Sequence, residues 1–124
     1  MSELNLFNDT LISLAGQLAD ICPNSLISKY LTIINKVIKS NPEKIMTAFI
    51  IHILPYKDKI DAGDEDFFLN KSYEKEAKGD DEVINKIFKF KDIWKQLTDD
   101  NKNIVIQYMM CLCYYAQLYL IKNL

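Results

Sequence analysis

From Ile104 to Ile121, eighteen residues run without a charge, and only Gln107 and Gln117 interrupt the apolar and aromatic side chains. Thr98-Asp99-Asp100 precede this run as a helix start, and Lys122 follows it. A helix this apolar is buried in a core, docked on another chain or placed in a membrane. Eighteen residues barely reach spanning length. The least apolar positions, Gln107, Met110, Tyr114 and Gln117, recur at 3-4-3 spacing on one side, a stripe that a lipid-facing helix has no reason to keep. Four Tyr lie in mid-segment, although Tyr prefers the membrane interface. The balance favours a core or oligomer helix, with membrane association through this helix as the alternative. Val105, Tyr108, Leu112, Tyr115 and Tyr119 form one seam, and Ile106, Met109, Cys113, Ala116 and Leu120 form a second. Two seams let one helix touch neighbours on both sides, as the central helix of a bundle does.

The rest of the chain supplies such neighbours. Leu4, Phe7, Leu11, Leu14, Leu18 and Ile21 repeat at 3-4-3-4-3 spacing and predict a first helix, with Asn8-Asp9-Thr10 as the place where it would fray or break. Pro23 ends it, and Asn24 or Ser25 can cap a second helix. The second helix carries Leu26, Ile27, Tyr30, Leu31, Ile33, Ile34, Val37 and Ile38 on a broad stripe. Ser40-Asn41-Pro42-Glu43 reads as a stop and restart, with Asn41 as cap and Pro42 at the first helical position. The third helix, to about Leu54, is polar only at Glu43, Lys44, Thr47 and His52 and is expected to be largely buried. Pro55 ends or kinks it. Asp80 or Asp81 starts a fourth helix with a seam of Val83, Ile87, Phe90, Trp94 and Leu97, and the short Thr98 turn predicts an antiparallel hairpin with the fifth. No segment alternates with the period of a strand. The chain is therefore expected to be one all-α domain over residues 1–124, a bundle of about five helices with the apolar C-terminal helix at its centre.

Residues 56–82 differ in character. They hold ten acidic residues against five Lys, a local charge of −5, and two of the three Gly. This composition predicts a long acidic surface connection between the third and fourth helices, with at most a short helix after Ser72. Inside it, Phe67-Phe68-Leu69 directly follow Asp64-Glu65-Asp66. Three bulky apolar residues in a charged connection either dock a partner or pin the connection to the core.

Candidate chemistry is sparse. Cys111 and Cys113 are two apart, so on a helix they point about 200° apart and cannot reach one metal together with Cys22 and His52. With Gly63 at the sixth position of a calcium loop, Ile60, Ala62 and Leu69 fall where oxygen ligands are required. His52, the only His, has no nucleophile beside it in an activating motif. There is no glycine-rich phosphate loop. The reading is of no catalytic, cofactor-binding or metal-binding residues. All fifteen basic residues are Lys, so the planar fork that reads guanine or grips phosphate bidentately is missing, and specific nucleic-acid binding is not expected. The Lys86–Lys95 group reads as the solvated flank of the fourth helix.

Leu54-Pro55-Tyr56-Lys57, Asp64-Glu65-Asp66-Phe67-Phe68-Leu69 and Ile93-Trp94-Lys95-Gln96-Leu97-Thr98-Asp99-Asp100-Asn101-Lys102, followed by a long apolar helix, resemble small proteins of large double-stranded DNA viruses of protists, in the mimivirus-like and phycodnavirus-like groups. The resemblance spans roughly residues 42–121. It implies a viral intracellular setting, the host cytoplasm, a virus factory or the virion. It carries no activity, and so no functional residues.

Together these readings lead to a non-enzymatic helical interaction protein. Its partner is another protein or a second copy of the chain. Phe67, Phe68 and Leu69 are the first candidate contact, and Tyr108, Tyr115 and Tyr119 the second, across an oligomer interface. The odd number of Cys and the absence of a basic leader at Met1-Ser2-Glu3-Leu4 point to a reducing, intracellular compartment.

Overall fold

The structure is a computed structural model and describes residues 2–22, 27–70 and 91–123. Within them the chain is all helical, and no strand occurs. The elements are α1 (Glu3–Ile21), α2 (Ile27–Ser40), α3 (Lys44–His52), a 3-10 turn (Leu54–Tyr56), α4 (Lys57–Asp61), α5 (Glu65–Asn70), α6 (Lys91–Trp94) and α7 (Asp99–Lys122).

The first seam behaves as its spacing predicts. Phe7, Leu11, Leu14 and Leu18 are buried on one face of α1, and Leu4 and Ile21 pack at its ends. Ser2 caps the helix, its Oγ accepting from the Asn5 N–H at 3.1 Å. The helix does not break at Asn8-Asp9-Thr10. Asn8 is itself buried, and its Nδ2 donates to the Pro42 carbonyl at 3.0 Å, which ties α1 to the start of α3. A polar residue that looked like a weak point is held by a distant backbone acceptor.

Antiparallel pairing of α1 with α7 forms the backbone of the fold. Glu3 pairs with Lys122 at one end, and Gln17 Nε2 donates to the Tyr108 hydroxyl at 2.6 Å toward the other. Thr98 caps α7 through Asn101 N–H at 3.2 Å, with Asp99 and Asp100 in the first turn, as the sequence predicts. Helices α3 and α4 also lie against α7, and α2 packs on α1 through Ile34. The fifth helix of the sequence reading thus has neighbours on more than one side, but its two seams are not two buried faces. The buried set is one stripe, Val105, Met109, Leu112, Cys113 and Ala116, drawn from both.

One boundary and two exposures differ from expectation. The helix after Pro42 begins at Lys44 with no side-chain cap, so Asn41 does not play that role. That helix is also less buried than its composition suggested, since Ile51 is 61% exposed. Ile33, placed in the apolar stripe of α2, stands half in water.

The largest difference lies in the acidic segment. Its described part, 56–70, is not a surface connection but two short helices with Ile60, Phe67 and Phe68 in the core. The proposed helix after Ser72, the seam members Val83, Ile87 and Phe90 and the caps at Asn24, Ser25, Asp80 and Asp81 lie outside the described residues. Of the fourth-helix seam, Trp94 and Leu97 are buried.

Candidate functional site

The acidic segment turns on Gly63. Its φ of +63° is the left-handed conformation that glycine adopts without strain. The Asp64 N–H reaches the Lys59 carbonyl and the Gly63 N–H reaches the Ile60 carbonyl, both at 3.0 Å, which closes the end of α4. Asp64 then restarts the chain. Its Oδ1 accepts from the Asp66 N–H at 3.0 Å and the Phe67 N–H at 3.4 Å, capping α5.

This turn delivers the first candidate contact to the interior. Phe67 is 6% exposed and Phe68 1%, while Leu69 is half-buried. Phe68 stacks on Trp94 with ring centroids 4.8 Å apart and planes 6° from parallel. Phe67 meets Phe68 edge-on at 5.2 Å and Tyr56 at 5.7 Å. The Trp94 Nε1–H donates to Glu65 at 3.1 Å, Lys102 reaches the same carboxylate at 2.8 Å, and the ammonium lies 5.5 Å from the indole centroid. The Lys102 hydrogen bond, then that from Trp94, hold the Glu65 carboxyl below its ordinary value. The charged residues beside the Phe pair are therefore caps and clamps around an inward-facing aromatic cluster. Of the two roles expected for this pair, docking a partner or pinning the segment to the core, the burial of both rings fits the pin.

The second candidate contact is split. Tyr108, Tyr115 and Tyr119 are half-buried and flank the buried stripe of α7. Tyr108 is held by Gln17. Tyr115 meets Tyr114 edge-on at 5.7 Å. Burial raises the Tyr119 phenol above its ordinary value, and the neighbouring Glu43 carboxylate raises it further. These three residues belong to the packing of α7 on the bundle more than to its outer face.

That outer face carries Gln107, Met110, Cys111 and Tyr114, all exposed, followed by half-buried Gln117 and by Ile121. Tyr114 is 57% exposed and Ile121 66%. The stripe had been visible as the least apolar side of the helix. Beside it an open groove of about 450 Å³ runs between α1 and α7, lined by Thr10, Gln17, Ile104, Gln107, Tyr108 and Cys111. None of these side chains carries a charge.

The cysteines divide as helical geometry requires. Cys111 is exposed and Cys113 buried, so the two thiols face opposite ways. Burial pushes the Cys113 thiol up to about 12, with Asp61 adding to it, which makes it a poor nucleophile. Among the described residues no three His, Cys, Asp or Glu side chains gather as metal ligands. His52 is half-buried at the end of α3.

Comparison with protein-family models, with curated proteins and with solved structures gives no match, and the resemblance to viral proteins stands on its residues alone.

Proposed function

We propose that this chain is a non-catalytic helical interaction module and that its contact is the outer face of α7. The observation carrying this reading is a helix that buries five residues on one side and leaves an uncharged stripe with Met110, Tyr114 and Ile121 in water on the other. Surface helices of small domains ordinarily place charge on that side. A contiguous apolar and amide stripe on a folded domain is the usual mark of a surface that another molecule covers. Free thiols at Cys22, Cys111 and Cys113 support a reducing compartment, and the viral resemblance adds a host-cytoplasm or virion setting to the proposal.

Membrane association is the second reading. Over its best 18-residue window α7 has a mean hydropathy of 1.5, and 28% of that window is buried, so length and composition alone would let it cross a bilayer. Two features weigh against it. The outer side keeps exposed Gln107 and half-buried Gln117, and the opposite side is committed to α1, α3 and α4.

The test is photo-crosslinking in cells with a photoreactive phenylalanine analogue replacing Tyr114, and a control at exposed Lys59 on α4. Protein adducts at position 114 and none at 59 are expected. Equal labelling at both positions would refute the surface assignment.

A further inference from the structure

We infer that Asn8 is a conformational lock, the polar contact that selects one docking of α3 on α1 over the neighbouring ones. Its side chain is 4% exposed, and its Nδ2 donates to the Pro42 carbonyl at 3.0 Å. Its Oδ1 is sealed from solvent and has no hydrogen-bond partner among the described residues. A buried acceptor left unpaired costs stability, and native interiors hold few of them. An amide present for stability alone would have both of its ends matched. This one has a single end matched, across 34 positions of chain, so what it contributes is direction.

Direction is what the surrounding contacts lack. Phe7 meets Phe49 edge-on at 5.2 Å, and both rings are fully buried. Ile45, Phe49 and Ile53 are buried at four-residue intervals along α3 and just beyond it, and Phe7, Leu11, Leu14 and Leu18 at 4-3-4 spacing along α1. Two periodic apolar seams match nearly as well after one slides by a turn, about 5.4 Å, because each bulky side chain takes the place of another. Such a slide carries the Pro42 carbonyl out of reach of Asn8, and the amide has no periodic substitute. Among the described residues of α2, on the other side of Pro42, Asn35 and Ser40 donate to carbonyls of their own helix and not to α1 or α3. A buried polar residue in an apolar seam fixes register in this way, at a cost in stability. The lock grips the chain ahead of every buried residue of α3, so it sets the depth at which Phe49 enters the core.

The test compares variants of the full chain by circular dichroism and by amide NMR of the isotope-labelled protein. The wild type should give one set of amide signals over residues 41–53, with contacts between the Phe7 and Phe49 rings. Asn8→Leu removes the donor and supplies apolar surface. It should melt no lower than the wild type, yet give a second or exchange-broadened set of signals over 41–53, while those of 105–116 in α7 stay single. Asn8→Ala removes the donor without adding bulk, and should show the same doubling with a lower Tm. Leu14→Ala, a core truncation elsewhere on α1, should lower Tm and leave 41–53 single, which separates a lock from a residue that merely stabilises. One set of signals over 41–53 in either Asn8 variant overturns the inference, as does doubling in Leu14→Ala. A fall in Tm for Asn8→Leu as large as that for Asn8→Ala overturns it too, since the amide would then be present for stability. Should Asn8→Leu fail to fold, the Asn8→Ala spectrum decides alone.

Discussion

Replacing Phe68 with Ala tests whether the aromatic residues of the acidic segment pin it to the core. Phe68 is 1% exposed and stacks on Trp94 at 4.8 Å. An aromatic side chain of this class buries about 150–250 Å², and at ~25 cal/mol/Å² the transfer alone is worth roughly 4–6 kcal/mol. Alanine retains part of that area, while the cavity it leaves adds a further loss, which brings Phe→Ala changes into the range of about 3–5 kcal/mol. We expect about 4 kcal/mol, because the stacked indole loses its partner and cannot collapse onto a methyl group. In a domain of this size that lowers Tm by roughly 12–20 °C. Urea unfolding followed by far-UV circular dichroism measures the change. The emission of Trp94, the only Trp in the chain, gives an independent local readout and should shift to the red in the folded variant. A change below about 1 kcal/mol with unaltered Trp94 emission would mean that the ring is not packed there, and the stack would have to be abandoned.

Three further outcomes follow from the same structure. Gly63→Ala should destabilise by about 1–2 kcal/mol in the same urea assay, since an L side chain is strained at φ +63°, while its Cβ would meet Ile106 only in ordinary contact; no loss would contradict the left-handed turn. Glu65 and Glu3 have folded-state pKa values held below the ordinary 4.5, by Lys102 and Trp94 and by Lys122 respectively. Their contribution is present above that value and is lost as pH falls through the depressed ones, so Tm should fall below about pH 4.5, and Glu65→Gln with Glu3→Gln should flatten that limb. A thiol-reactive dye should label one cysteine rapidly in the native protein, Cys111, and all three after denaturation; fast native labelling of Cys113 would contradict its burial.

What could be read from the sequence depended on element length. Helix α1 is 19 residues long, and the spacing of its seam identified Phe7, Leu11, Leu14 and Leu18 as buried, though not Asn8 and Ala15 beside them. In α4 and α5, five and six residues long, there is less than two turns of periodicity to detect. The local signals were present, a Gly to stop a helix and an Asp to start the next. They lay in a stretch whose charge looked like solvation, and the burial of Phe67 and Phe68 depends on Trp94, too distant in sequence for a periodic pattern to register. In α7 the two apolar seams were each correctly spaced. Spacing alone could not say that α1, α3 and α4 would cover the boundary between them and leave Tyr108, Tyr115 and Tyr119 as flanks. The outward stripe was legible as a pattern, and its exposure was not, because exposure is a property of the neighbours.

The antiparallel pairing of α1 with α7 has a consequence for the order in which the chain can mature. Among the described residues these helices form the broadest contact, yet Glu3 and Lys122 are 119 positions apart. On a ribosome adding about 5–20 residues per second, α1 waits on the order of 4–16 s between its own completion and the first turn of α7. During that interval α2 and α3 can shelter only part of the Phe7–Leu18 face. The rest is an unmatched hydrophobic ridge, and closing so long a loop also makes the final docking slow. A nascent chain halted before Thr98 therefore presents that ridge to chaperones and to aggregation, and the docking of α7 on α1 is the event that ends the exposure.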